Sequence, residues 1–117
     1  LERLTAIQNR SAGANEKRWV YQRNGLTVDL RSCEVFVHGE SVSLTGTEYR
    51  LLTYLIERRG WVVSHDQILN SVWGADYLGE REQVKLYVWY LRRKIETDPR
   101  KPQMIVTKRG LGYTFVG

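Results

Sequence analysis

The sequence predicts an α+β fold, and three observations on the spacing of apolar residues lead to this prediction. Up to residue 44, apolar residues alternate with polar ones in short runs, as is typical of β-strands. Between residues 45 and 96 the spacing changes to three and four, as is typical of amphipathic helices. After residue 102, two β-rich runs flank a glycine-bearing turn. A sheet, a helical core and a hairpin are therefore expected in that order.

The first 18 residues are predicted to lie outside this core. Leu1–Gln8 has helical spacing but is too short to form a stable helix alone. Asn9–Arg18 is polar, small and charged, a composition that favours a flexible linker. One domain covering residues 19–117 is expected to follow.

Four β-rich runs, at residues 19–21, 26–30, 34–37 and 42–44, predict a four-stranded antiparallel meander. Asn24 and Gly25 are expected to form a type I′ turn, because both positions of that turn need positive φ. A second turn is expected at His38–Glu40. Cys33 is predicted to lie in a strand as an inert, small apolar residue.

Two capping boxes mark the starts of the first two helices. Thr45 and Glu48 can satisfy each other's free backbone amides, and so can Ser64 and Gln67. These helices are expected to end at glycines, Gly60 and Gly74.

The third helix is predicted to be the longest, at Glu80–Glu96, and a hairpin should follow it. Its buried stripe has a 4, 3, 4 spacing and consists of Val84, Val88, Leu91 and Ile95. The hairpin strands are expected at Gln103–Thr107 and Tyr113–Val116, around a basic turn at residues 108–112. A short second helix, a long third helix and a basic hairpin form the layout of a winged helix-turn-helix.

The positive charge of the chain is concentrated in one stretch. The 117 residues include 18 Lys or Arg and 13 Asp or Glu, a net charge of +5. Residues 81–109 contain nine of the basic and three of the acidic residues, so this stretch carries +6 and the remainder −1. Such a surplus indicates either a surface for an anionic partner or a solvated helix with salt bridges. The aromatic residues Tyr87, Trp89 and Tyr90 lie between the charges and favour nucleic acid.

Several other classes of protein are not expected. No apolar run approaches the roughly 18 residues of a membrane span, and no leader sequence is recognisable, so a soluble cytoplasmic protein is expected. A single cysteine excludes an internal disulfide, and the histidines His38 and His65 are too far apart in the pattern to predict a metal site. No catalytic or nucleotide-binding motif is present, so neither an enzyme nor a cofactor is predicted.

Three segments, Leu44–Leu52, Val84–Glu96 and Thr107–Tyr113, closely resemble the effector domain of OmpR/PhoB-type response regulators. The resemblance covers residues 19–117. It implies a four-stranded N-terminal sheet, a three-helix core and a C-terminal wing, in a transcription factor that binds direct-repeat sites in double-stranded DNA as a head-to-tail dimer. Leu1–Gln8 is similar to the last helix of the receiver domain that precedes such effectors. A fragment without its receiver is therefore expected, which would be a weak monomer alone and would depend on a sensor kinase upstream.

The resemblance also implies roles for individual residues. Glu80–Glu96 corresponds to the recognition helix, Arg109 to the wing arginine and Thr107 to a phosphate-contacting threonine. The indole N–H of Trp73 donates to a phosphate in this family, although a core aromatic residue would occupy the same position. Arg92 corresponds to an arginine that contacts the DNA backbone, and its alternative is a salt bridge to an acidic neighbour.

The sequence departs from the family within the recognition helix. Many members have an acidic residue at the position of Lys85 and basic residues at those of Trp89 and Tyr90. Lys85 could reach a guanine or a phosphate, and Trp89 could contact thymine methyl groups or sugars. Tyr90 could contact DNA or pack against the wing, and the Tyr87 hydroxyl is expected to reach a phosphate. The other candidate DNA-binding residues are Leu86, Arg93 and Lys108.

The loop between the second and third helices is a candidate contact for RNA polymerase in the family. Its residues here are Asp76, Tyr77 and Leu78. The two apolar side chains could be exposed for this contact or could fold onto the domain. The alternative to sequence-specific DNA binding is a winged-helix module that serves protein contacts or non-specific nucleic-acid binding.

Overall fold

A computed structural model describes residues 19–117, which belong to two compact units that divide after Ser43. The described residues of the first unit, 19–43, form strands and turns, and the second unit, Leu44–Gly117, contains every helix of the described part of the chain. The predictions made for Leu1–Gln8 and Asn9–Arg18 lie outside the described residues.

The first unit is the predicted four-stranded antiparallel meander. Its strands are β1 (Val20–Arg23), β2 (Leu26–Asp29), β3 (Glu34–Val37) and β4 (Glu40–Val42), paired in chain order. The fourth strand lies two residues earlier than predicted, because the turn before it is a tight two-residue turn.

Two such turns join the hairpins of this sheet. Asn24 and Gly25 have φ of 52° and 82°, and His38 and Gly39 have φ of 50° and 84°. Positive φ at both central positions is the type I′ geometry expected for the first turn. A side chain at Gly25 would also collide with the imidazole of His38, so glycine is needed there for space as well as for conformation.

The prediction for Cys33 was wrong. The Asp29 carboxylate accepts the backbone N–H groups of Arg31 and Ser32, and the Asp29 carbonyl accepts that of Cys33. These bonds close a turn between β2 and β3, in which Cys33 is exposed with φ of 62°. A local side-chain to backbone hydrogen bond competes with the strand here, and one acidic residue does not identify it in a sequence.

The second unit opens with helix α1 (Gly46–Glu57), and the predicted capping box at its start is present. The Glu48 N–H donates to the Thr45 hydroxyl at 3.2 Å, and the Thr45 N–H donates to the Glu48 carboxylate at 3.0 Å. The helix ends before the predicted Gly60, whose N–H donates instead to the Phe115 carbonyl of the last strand.

Helix α2 (His65–Ile68) also has its predicted capping box, between Ser64 and Gln67. It continues as a π-helical segment (Leu69–Trp73) and ends at Gly74, which has φ of 113°. A short 3₁₀ turn (Ala75–Tyr77) leads to helix α3 (Arg81–Ile95). The predicted inward stripe of α3 is fully buried: Val84, Val88, Leu91 and Ile95.

The predicted hairpin is part of a three-stranded sheet. Strands β6 (Ile105–Lys108) and β7 (Gly112–Phe115) form the hairpin, and β5 (Val62–Val63) pairs antiparallel with β7. A two-residue strand carries no periodic signal, so the sequence did not reveal β5. The carbonyl of Val63 approaches Gly112 so closely that a Cβ there would collide with it.

Glu96 organises the connection between α3 and the hairpin. This residue is buried, and its carboxylate accepts the backbone N–H groups of Gln103 at 2.8 Å, Met104 at 3.0 Å and Ile105 at 2.8 Å. The predicted strand at Gln103–Thr107 begins two residues late because the first of these amides are bonded to Glu96 rather than to a neighbouring strand.

Glu48 joins α1 to α3. Its carboxylate is buried and accepts a hydrogen bond from the Lys94 ammonium at 2.7 Å. Burial by itself raises the pKa of Glu48, but the hydrogen bonds from Lys94 and Thr45 and the charge of Lys94 together lower the pKa below its ordinary value of 4.5.

We expect Glu96→Gln to lower the free energy of unfolding by about 2 kcal/mol, because charged acceptors form stronger hydrogen bonds than neutral ones and one oxygen becomes an N–H donor facing donors. Urea unfolding at neutral pH measures this change. Glu82→Gln, an exposed matched control on α3, should leave stability nearly unchanged. Equal effects of the two substitutions would contradict the role of Glu96.

We expect Glu48→Gln to lower stability by about 1–3 kcal/mol at neutral pH. Because the folded carboxyl group has the lower pKa, its stabilisation is complete above 4.5 and disappears as the pH falls through the folded value. The difference in urea midpoint between wild type and variant should therefore narrow below that pH. A difference independent of pH would show that the ion pair does not stabilise the fold.

Candidate nucleic-acid interface

Helix α3 exposes the side opposite its buried stripe. Lys85, Leu86, Trp89 and Arg93 are all exposed. Trp89 lies four residues from both Lys85 and Arg93 and three from Leu86, so the four residues share one side of the helix. Lys85 forms an exposed ion pair with Glu82 at 3.3 Å. The structure therefore presents most of the predicted recognition residues of α3 on a single surface.

A row of aromatic rings lies beside this surface. The Trp73 and Tyr87 rings meet edge to face with centroids 5.3 Å apart, and Tyr87 meets Tyr90 in the same manner at 5.4 Å. All three side chains are half-buried. The ring of Tyr90 thus packs on its own helix, whereas packing against the wing was the predicted alternative to DNA contact. The row also connects the end of the π-helical segment to α3.

Arg92 joins α3 to the wing, which is the hairpin of β6 and β7. Its guanidinium donates to the Ile105 carbonyl at 3.0 and 2.7 Å and to the Thr107 hydroxyl at 2.8 Å, and it lies 5.8 Å from the centre of the Tyr113 ring. The partners in these bonds are a carbonyl and a hydroxyl, not the acidic neighbour of the predicted alternative. Burial lowers the pKa of Arg92 and raises that of Tyr113.

Lys108 ends β6 and Arg109 opens the turn to β7, and both are exposed. No ion pair joins either of them to another residue within 19–117. Gly110 has φ of 78°, which permits the tight turn at this tip. Because Arg92 fixes the start of β6 to α3, the two cations follow directly from a strand anchored to the helix.

The loop before α3 exposes its apolar residues. Tyr77 and Leu78 are both exposed, as is Asp76. The alternative in which both apolar side chains fold onto the domain is therefore not what the structure shows. The predicted contact of this loop with RNA polymerase stays a prediction.

His65 lies at the start of α2, and sequence reasoning did not select it. Its ring meets the Tyr113 ring edge to face at 5.3 Å. Burial lowers the pKa of His65, and the positive charges of Arg81 and Lys85 lower it further. The positive field of α3 therefore extends to the first turn of α2. A lone histidine in a capping box gave no signal for this position, which only the packing of α2 against α3 creates.

No group of three or more potential metal ligands occurs among residues 19–117. In the same part of the chain, no helix combines the length and apolar character needed to cross a membrane.

A three-helix unit with an exposed third helix joined to a basic β-wing defines a winged-helix domain of the type found in regulators of transcription. The model of the family "Transcriptional regulatory protein, C terminal" matches residues 39–115. The chain belongs to this family, which comprises transcription regulators and is not an enzyme class.

Known proteins narrow the class to OmpR/PhoB-type effector domains. The chain is 43% identical over 101 residues to a probable transcriptional regulatory protein of Picosynechococcus, covering 85% of this chain and 39% of that protein. The response regulator DrrB of Thermotoga maritima, an OmpR/PhoB homologue, is 30% identical with a TM-score of 0.78 over 85% of this chain and 45% of DrrB. The chain thus spans less than half of both proteins. The predicted fold and family are confirmed.

A third similar structure contains DNA. The RstA DNA-binding domain of Klebsiella pneumoniae, solved in complex with the RstA box, is 28% identical with a TM-score of 0.76. The match covers 83% of this chain and 96% of that domain.

We expect Glu82→Gln to strengthen binding to duplex DNA of arbitrary sequence, because it removes an anion from α3 and releases Lys85 from its ion pair. An exposed pair of this kind corresponds to roughly a two- to fivefold gain at low salt, which should shrink as salt rises. Fluorescence anisotropy measures the affinity. Glu57→Gln on α1 makes the same charge change as a control, and an equal gain for both variants would assign the effect to net charge alone.

Proposed function

We propose that this chain is the effector domain of a two-component response regulator and binds double-stranded DNA sequence-specifically. In this proposal α3 enters the major groove, and the wing contacts the minor groove and backbone. The observation that carries it is the bond from Arg92 to β6, because it fixes the exposed side of α3 and the wing as one unit. A rigid cationic helix and wing suit the polyanionic backbone, whose counterions they would displace.

The proposed contacts fall into two classes. Lys85, Leu86 and Trp89 project from the exposed side of α3 and would contact base edges, which carry sequence information. The proposed backbone-contacting residues are Trp73, Tyr87, Tyr90, Arg92, Arg93, Thr107, Lys108 and Arg109. Thr107 has its hydroxyl bonded to Arg92, so a phosphate at the wing base would meet both groups at once.

The partners of the complete regulator form a further part of the proposal. We infer binding to direct-repeat sites as a head-to-tail dimer, with the isolated chain a weak monomer. A receiver domain and a sensor kinase would control the effector in the cytoplasm, and the loop at residues 76–78 would contact RNA polymerase. The exposure of Tyr77 and Leu78 supports the last of these contacts.

The test combines selection and salt dependence. Selection from a random duplex library should yield a consensus, and affinity for it should fall steeply as salt rises. Arg109→Ala should reduce the slope of log affinity against log salt by about one without altering stability. Arg92→Ala should reduce both the slope and the free energy of unfolding, the latter by about 1–3 kcal/mol, because the carbonyl of the buried Ile105 loses its donor.

Arg31→Ala serves as the matched control, since Arg31 is an exposed arginine of the first unit. It should leave the salt slope unchanged. Failure to select any consensus would favour the alternative of a protein-contact or non-specific module. A salt slope that neither Arg109→Ala nor Arg92→Ala reduces would overturn the proposed interface.

A further inference from the structure

Two apolar side chains occupy the middle of the exposed side of α3. Leu86 is 42% exposed and Trp89 is 38% exposed. They are three residues apart, so their side chains are neighbours on the helix surface, with Cβ atoms about 5–6 Å apart. Large apolar groups on an otherwise charged helix surface need a partner that offers apolar contact.

The neighbouring aromatic residues leave this pair available. Tyr87 and Tyr90 engage each other, and Tyr87 also engages Trp73. Within residues 19–117, the indole side chain of Trp89 takes part in no ring contact, ion pair or hydrogen bond. The indole is thus the aromatic group of α3 that no other ring in the described chain engages.

Charges on both sides of the pair define the kind of partner. Lys85 precedes Leu86, and Arg93 lies four residues after Trp89 on the same side of the helix. An apolar protein surface would offer no counter-charge to Arg93, and none to Lys85 beyond its ion pair with Glu82. A DNA groove provides phosphates on both sides and base edges between them.

The chemistry of the pair then limits what it can recognise on a base edge. Leucine has no hydrogen-bonding group and tryptophan has one donor, so neither can form a two-bond contact with a purine. The major groove offers one apolar group on its base edges, which is the C5-methyl of thymine.

Building on the proposed function, we propose that Leu86 and Trp89 bind thymine C5-methyl groups and so make thymine part of the recognised sequence. Base pairs follow each other every 3.4 Å along a strand. Side chains separated by about 5–6 Å therefore reach methyl groups no more than about two base pairs apart. The selected consensus should contain two thymines at this spacing.

The test removes single methyl groups from the DNA. Each thymine of the selected consensus is replaced in turn by deoxyuracil, which keeps Watson–Crick pairing and lacks only the C5-methyl. Loss of one buried methyl group should weaken binding of the unaltered protein about fourfold at one or two positions of each half-site and have no effect elsewhere. A duplex in which 5-methylcytosine replaces such a thymine should bind more tightly than a duplex in which cytosine replaces it.

Protein variants assign each methyl group to a side chain. Leu86→Ala and Trp89→Ala should each abolish the deoxyuracil effect at one position. A double-mutant cycle that combines each protein variant with each deoxyuracil substitution should show the coupling between side chain and methyl group. Trp61→Ala is the matched control, because Trp61 is 74% exposed and lies outside α3; it should leave the effect intact.

Each other outcome has a definite meaning. A consensus whose binding is indifferent to deoxyuracil at every thymine would overturn this inference and leave the proposed DNA binding intact. If Trp89→Ala lowered the affinity for all duplexes equally and deoxyuracil had no effect, the indole would be assigned to sugars instead, which also overturns the inference. Absence of any selected duplex would contradict the proposed function itself.

Discussion

The hydrogen bonds of Arg92 are the constraint on which the candidate interface depends. The guanidinium is half-buried between α3 and the wing, and its bonds to Ile105 and Thr107 fix the first three residues of β6 to the helix. Breaking them would leave the buried Ile105 carbonyl without a donor. Separating the helix from the wing would therefore cost a free energy comparable to that of losing other buried hydrogen bonds. An arginine suits this position because its planar fork donates to two acceptors at once, which a lysine cannot reproduce. Its charge is retained despite the burial, so the same group can both hold the wing and attract a phosphate.

Two carboxylates extend this control along α3. Near the end of the helix, Lys94 bonds to Glu48 of α1, and just after the end, Glu96 accepts three amides of the segment that leads into β6. With its inner stripe buried, α3 is held by polar bonds in its last turn and by packing along its length. Its outer residues make few contacts that constrain their identity. Substitution on that outer side is therefore expected to have little effect on the fold, and Lys85 and Trp89, which differ from the pattern that the resemblance implies, both lie there.

Much of the fold was predictable because its signals are local. The two capping boxes, the buried stripe of α3 and the Asn24–Gly25 turn each depend on residues that lie close together in the sequence, and each is present as predicted. The failures involve contacts that cross the chain or compete with its pattern. Strand β5 exists only because β7 pairs with it, Glu96 acts on residues seven to nine positions away, and Cys33 leaves the strand because Asp29 closes a turn. Hydrophobic periodicity contains no information on such contacts.

The candidate site shows the same division at the level of single side chains. The sequence identified the basic stretch and its aromatic residues, but it could not tell which aromatic groups are already engaged. The structure separates Tyr90, which packs on Tyr87, from Trp89, which has no such partner in the described chain. Trp89 and Tyr90, at positions where the resemblance implies basic residues in many family members, therefore differ in their surroundings. Tyr90 reinforces the aromatic row that connects α3 to the preceding segment, whereas Trp89 lies on the exposed side of the helix as a large apolar group. Because an apolar contact needs close fit and a charge does not, the proposed contact of Trp89 with a base edge would favour discrimination between sequences over general attraction to DNA.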